Sequence, residues 1–286
     1  MVTPFYDDGA VDYEVAAEVA RHLVGTGSDA LVVAGSTGEG SALSDDEKLT
    51  LFAVVAGAVS VPVLAGTSSS DTARSVALTR HASTSGVAGI LATTPAYARP
   101  SQSGIAAHLG AMAQATSLPV MLYDIPARTG RRIAPETTIG LARAQQNIVA
   151  LKDASADVPG AAHLLAVLGT GFDLLAGDDS WTLPYMAVGA VGVVSVAAHW
   201  AGSLLAAMVG AGTKGDWVFA RELNEQLGTS YAFIGSEIYP NPQPAKATLR
   251  ALGFAVGHCR LPIGPSDADL DVRAYEMVAS MSAPRG

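Results

Sequence analysis

Seven short apolar runs recur through the first two thirds of the chain, and they constrain its fold more than any other feature. They are ALVVAG from 30, VPVLAGT from 61, GILATTP from 89, PVMLYDIP from 119, NIVALKDAS from 147, DLLAGD from 173 and VGVVSV from 191. Between most of them lie stretches such as DYEVAAEVARHLVGTG and DEKLTLFAVVAGAV, whose apolar residues fall three and four apart, the period of a helix packed along one stripe. Continuous apolar strands alternating with helices predict a parallel sheet covered on both faces. MVTPF at the start reads as the tail of an eighth strand whose beginning is missing. Eight such units predict an α/β fold, a closed (β/α)8 TIM barrel, with an open doubly wound sheet as the alternative.

After Val196 the pattern turns helical only, with helices expected near 201–211, 215–230, 243–253 and 267–281. That block is too small for a core of its own. The whole chain, 1–286, is therefore expected to form a single domain, with the barrel over 1–200 and a C-terminal helical appendage over 201–286.

The charge balance of 17 basic against 26 acidic residues, net -9, argues against a nucleic-acid partner, which requires clustered Lys and Arg. The one cysteine, Cys259, forms no intrachain disulfide, and no Cys/His cluster suggests zinc. As a nucleophile it would need His258 as its base, and GHCRLP reads as a loop. MVTPFYDDG has neither the basic start nor the apolar core of a signal peptide, so a cytoplasmic location is expected. Met186 to Gly212 is free of charge and long enough to span a bilayer, but it holds five glycines and a histidine. It reads better as a buried strand over 191–196, a turn and a packed helix.

In a barrel the chemistry sits at the C-terminal ends of the strands. Those ends carry GSTGEG, TTPAYARP, YDIPARTG, KDAS, GDD and SVAAH, in that order. Lys152 is the outlier, a cation where the run NIVALKDAS should stay apolar. Of the four lysines, 48 and 246 fall in helical stretches and 214 in a glycine-flanked turn, where solvated lysines belong. Two readings of Lys152 stand. It is held in a buried ion pair by Asp153 or Asp178, although Asp153 points to the opposite strand face. Or it is a nucleophile, since burial favours the neutral amine and an amine attacks a ketone to form a Schiff base. GSTGEG offers backbone N–H groups and hydroxyls suited to a carboxylate or phosphate, and it equally suits an ordinary tight turn. Tyr123 either fills the barrel top or shuttles protons beside such a lysine. Arg128 reads as a surface salt bridge or as a fork for a substrate carboxylate. His199 reads as structural.

Together these motifs resemble the dihydrodipicolinate synthase/N-acetylneuraminate lyase superfamily of pyruvate-dependent class I aldolases. The resemblance rests on VTPF at 2–5, GSTGE at 35–39, AGT at 65–67, TTPAYARPSQ at 93–102, YDIPARTG at 123–130, LKDAS at 151–155, GDD at 177–179 and NPQPAK at 241–246. It implies that Lys152 forms an imine with pyruvate and that Ser36 and Thr37 hold the pyruvate carboxylate. It further implies a proton relay of Ser36, Tyr123 and Tyr97, the last reaching in from a neighbouring subunit of a homotetramer built as a dimer of dimers. Gly177 and Val194 line the pocket, and no metal or organic cofactor is expected. Arg128 resembles the synthase branch, in which it binds the carboxylate of aspartate semialdehyde and the product is 4-hydroxy-tetrahydrodipicolinate. Ser36, where synthases usually carry threonine, keeps a sialic acid lyase or a 2-keto-3-deoxy sugar acid aldolase or dehydratase as the alternative. Arg74 and Ala96 stand where lysine-sensitive synthases carry a glutamate and a tyrosine, which implies insensitivity to free lysine.

Overall fold

A computed structural model describes residues 1–282, which form two compact units, one of residues 1–62 and 196–282 and the other of residues 63–195. The first unit opens with helix α1 (Tyr13–Gly25), strand β1 (Leu31–Val33) and helix α2 (Asp45–Ala58). Both helices begin where the sequence supplies a cap. Asp12 accepts the Val15 N–H at 3.0 Å, and Ser44 and Glu47 form a reciprocal capping box.

The second unit is a run of strand and helix. Its elements are β2 (Val63–Gly66), α3 (Thr72–Ala82), β3 (Gly89–Thr93), α4 (Gln102–Gln114), β4 (Val120–Asp124), the single turn α5 (Pro126–Thr129), α6 (Pro135–Ala144), β5 (Ile148–Asp153), α7 (Val158–Leu168), β6 (Asp173–Ala176), α8 (Thr182–Ala187) and β7 (Gly192–Val193). From β2 to β7 each strand pairs in parallel with the next in sequence order. Burial on both faces explains why these strands read as unbroken apolar runs: Ile90, Leu91 and Ala92 of β3 are all buried. The last strand is shorter than the sequence suggests, two residues in place of six.

The first unit closes with α9 (Ala198–Thr213), α10 (Trp217–Phe233), α11 (Gln243–Ala251) and α12 (Ala268–Ser282), which match the four expected helices. No helix among the described residues is long and apolar enough to cross a membrane. The expected eighth strand at the start does not form. The Met1 amino group donates to the Val32 carbonyl of β1 at 2.6 Å, but the donors after it go elsewhere: Val2 N–H to His199 Nε2 at 3.1 Å, Thr3 hydroxyl to the Gly38 carbonyl and Phe5 N–H to the Val256 carbonyl. His199 is the structural residue that the sequence suggests. Its other ring nitrogen lies 2.7 Å from the Val196 carbonyl, and burial pushes its pKa down to about 3.

Candidate active site

The end of β5 sets the geometry. In the β4–β5 ladder Tyr123 stands opposite Lys152 and Asp124 opposite Asp153, so successive residues divide between the two sheet faces. Lys152 Nζ lies 4.1 Å from the Tyr123 ring centroid, within reach of the attraction between a cation and a ring face. Tyr123 is buried and Lys152 only half-buried. Neither carboxylate offered by the sequence pairs with this amine. Asp153 Oδ1 accepts the Ser155 N–H at 2.7 Å, and Asp178 Oδ1 accepts the Ser180 N–H and hydroxyl. Among the described residues no carboxylate lies within ion-pair distance of Lys152. The ion-pair reading therefore gives way.

The neighbouring strand ends shape the surroundings. Gly177 donates its N–H to the Asp153 carbonyl at 2.7 Å, and a Cβ there would meet Ala154 Cβ and N at 2.9 Å, so this wall admits only glycine. Val194 extends the pairing of β7 through its N–H to the Ala176 carbonyl at 2.9 Å. Arg128 sits exposed on α5, in a loop closed at its far end by Asp124, whose Oδ1 accepts the Ile133 N–H at 3.0 Å. Burial pushes the Asp124 carboxyl up to about 7, with Asp153 adding in the same direction and the Ile133 N–H opposing. Tyr97, in the loop after β3, is 97% exposed with φ +68°, a left-handed backbone uncommon for tyrosine. Within its own chain its ring faces solvent.

In the first unit, the turn after β1 carries Ser36 and Thr37, both half-buried. Hydrogen bonds from Glu39 N–H to the Ser36 carbonyl and from Gly40 N–H to the Gly35 carbonyl, each 3.1 Å, close it. A Cβ on Gly40 would lie 2.1 Å from the Ala34 carbonyl oxygen, which makes glycine obligatory. Thr37 Oγ1 accepts from Asn241 Nδ2 at 2.9 Å. Glu39, at φ +53°, is 2% exposed and sits 2.7 Å from Lys246 Nζ, an ion contact without the alignment of a hydrogen bond to Oε1.

A model of the dihydrodipicolinate synthetase family matches residues 1–279. The 4-hydroxy-tetrahydrodipicolinate synthase of Desulforamulus reducens is 45% identical over 265 residues, which is 92% of this chain and 89% of that one. This chain belongs to the dihydrodipicolinate synthetase family. The crystal structure of a dihydrodipicolinate synthase from Bacillus anthracis superposes with a TM-score of 0.93 at 38% identity, covering 100% of this chain and 97% of the other. The enzyme of Cyanidioschyzon merolae, solved with lysine bound, gives 0.94 at 39% identity over 98% of this chain and 96% of its own. The fold class is thus the expected one, an α/β fold of the (β/α)8 barrel type with C-terminal helices.

Two lysines in this family member differ from their sequence reading. Lys246 is 0% exposed and Lys48 is 3% exposed, where solvated side chains were expected. Helical periodicity told which residues could share a face but not that Glu39, some 200 positions earlier, would supply a counter-charge. Asn241 and Lys246 were visible in the sequence only as the motif NPQPAK. Asp124 was hidden as a polar residue closing a strand. Cys259 is buried, and burial, with Glu39 beside it, pushes its thiol up to about 12.

Proposed function

We propose that this chain condenses pyruvate with L-aspartate 4-semialdehyde to give 4-hydroxy-tetrahydrodipicolinate, through an imine on Lys152. The observation that carries this reading is the Lys152 amine, free of any carboxylate partner among the described residues and set against the Tyr123 ring. The names of the relatives support the choice of substrates.

Ser36 and Thr37 hold the pyruvate carboxylate, and Lys152 Nζ adds to the C2 carbonyl. Water leaves as the imine forms, with its protons moved by Tyr123 and Ser36. The iminium is itself the electron sink, so a C3 proton is lost to give an enamine without a metal or organic cofactor. The enamine carbon bonds to the aldehyde carbon, whose oxygen takes up a proton. The amine of the semialdehyde unit then attacks the iminium carbon, closing the ring and releasing Lys152. Arg128 holds the semialdehyde carboxylate through its planar fork. Gly177 and Val194 wall the imine.

Tyr97 completes the relay from a neighbouring subunit, which makes a tight dimer necessary and the homotetramer the working assembly. Its 97% exposure and strained backbone support a side chain presented to a partner rather than to its own core. The net charge of -9 and the lone buried cysteine suit a cytoplasmic enzyme acting on small metabolites, with no nucleic acid or membrane partner.

Incubation with pyruvate and borohydride, followed by peptide mass spectrometry, is expected to place the reduced adduct on Lys152. An unlabelled Lys152 overturns the mechanism. Cleavage of sialic acid or a 2-keto-3-deoxy sugar acid, with no use of the semialdehyde, overturns the choice of substrates.

A further inference from the structure

Residues 241–246 have no role in the chemistry above, yet they reach the 35–39 turn at two points. Asn241 Nδ2 donates to Thr37 Oγ1 at 2.9 Å. A threonine hydroxyl has one hydrogen to give and two lone pairs to offer. Once it accepts from Asn241, its own hydrogen is directed away from that amide toward another acceptor. Five positions on, Lys246 Nζ meets Glu39 Oε1 at 2.7 Å, both side chains 1% exposed, and also donates to the His258 carbonyl at 2.8 Å. The other Glu39 oxygen accepts the Arg260 N–H at 2.8 Å. Lys246 Nζ and the Arg260 guanidinium also lie over the Phe5 ring, 4.1 and 4.4 Å from its centroid. The start of α11 keeps the two contacts in step, because the Lys246 N–H bonds to the Pro242 carbonyl at 3.0 Å and Gln243 Nε2 to the Gly264 carbonyl at 3.1 Å.

We propose that residues 241–246 are the positioning element of the carboxylate turn: Asn241 makes the Thr37 hydroxyl a donor toward the substrate carboxylate, and the Lys246–Glu39 pair holds the turn that presents it. This rests on the reading of Thr37 as a contact of the pyruvate carboxylate. Asn241 and Lys246 act through Thr37 and Glu39, so their substitution is felt as loss of pyruvate affinity and not of the chemical step. The helical block after the strands is then part of the site.

The experiment measures KM for each substrate, together with the pyruvate concentration that half-saturates borohydride trapping at Lys152. Asn241→Asp replaces a donor with an acceptor and draws the Thr37 hydrogen to itself. Pyruvate half-saturation is expected to rise about tenfold, with the semialdehyde KM moving less than about twofold. Asn241→Ala should give a smaller rise in the same direction. In a Thr37→Val background, where the hydroxyl is gone, neither Asn241 change should add anything. A rise that persists in that background, or equal rises in both KM values with a lowered Tm, overturns the role of Asn241. Glu39→Gln/Lys246→Met keeps the second contact free of a lone buried charge. It should raise pyruvate KM severalfold and leave the semialdehyde KM unchanged, and an unchanged pyruvate KM overturns that half. Absence of wild-type trapping at Lys152 sinks the underlying reading of the site. Normal trapping with unchanged half-saturation in Asn241→Asp sinks the positioning role alone.

Discussion

Lys246 in the first unit is wholly enclosed, 2.7 Å from Glu39, and engaged by a carbonyl and an aromatic face as well. Burial pulls its ammonium below the usual lysine range, and Glu39 pulls it back up. Lys152 in the second unit keeps part of its surface, lies over an aromatic ring too, and has no carboxylate partner among the described residues. Both amines face an aromatic ring at the same 4.1 Å, and they differ in burial, in the carbonyl partner and in the counter-charge.

The comparison breaks most readily at the lysines themselves. Lys152→Met should reduce turnover to background and abolish borohydride trapping while leaving Tm unchanged or slightly raised, since no ion pair is lost. Residual condensation above background would place the nucleophile elsewhere. Lys246→Ala should do the reverse, lowering unfolding free energy by about 3–5 kcal/mol through the stranded Glu39 carboxylate. Chemical denaturation checks this, and Glu39→Gln/Lys246→Met should recover most of the loss. Equal stability of the single and double variants would show that the pair carries no electrostatic weight.

Asp124 sharpens the contrast from the other sign of charge. Its carboxyl is raised to about 7 in the fold against the ordinary carboxylate range in the unfolded chain, so the native state binds the proton more tightly. The stability this lends is full at pH below about 4 and is lost as pH rises to about 7. Asp124→Asn should flatten that slope and gain on the order of 4 kcal/mol relative to wild type at pH 8 compared with pH 4. Parallel pH dependences in denaturant titrations would refute it. Arg128→Ala should weaken use of the semialdehyde by about 1.5–3 kcal/mol, the weight of a charged hydrogen bond, with pyruvate half-saturation little changed. The smallest effect is a null one. With Arg74 and Ala96 both exposed on the surface, free lysine at millimolar levels should leave the rate unaltered. A titration with half-inhibition below about 1 mM would reveal contacts other than those two, because a cation at 74 repels the ligand ammonium.

How far the sequence could carry these conclusions depended on the range of the interaction. The seven strands after the first residues were legible as apolar runs, most plainly where both faces are buried as in β3, although the last is two residues long rather than six. Lys152 and Tyr123 stood out because each closes such a run. The eighth strand failed because the hydrogen-bond partners of Val2 and Phe5 are His199 and Val256, which no local pattern announces. Lys246 was misread for the same reason: solvated and ion-paired lysines look alike on a helical wheel, and Glu39 lies far away along the chain. The acid pair Asp124 and Asp153 was half legible. The alternation of strand faces put Asp153 behind Lys152, but the loop that Asp124 closes appeared only in three dimensions.

The hydrogen bond between Asn241 and Thr37 joins residues 204 positions apart. During synthesis at roughly 5–20 residues per second, the turn at 35–39 leaves the ribosome on the order of ten to forty seconds before its clamp exists. A nascent chain in that interval has made the turn but not the residues that, on our proposal, aim its Thr37 hydroxyl. On that proposal the arrival of the last segment tightens the hold on the keto acid and does not create the chemistry, because loss of Asn241 costs affinity and not the chemical step.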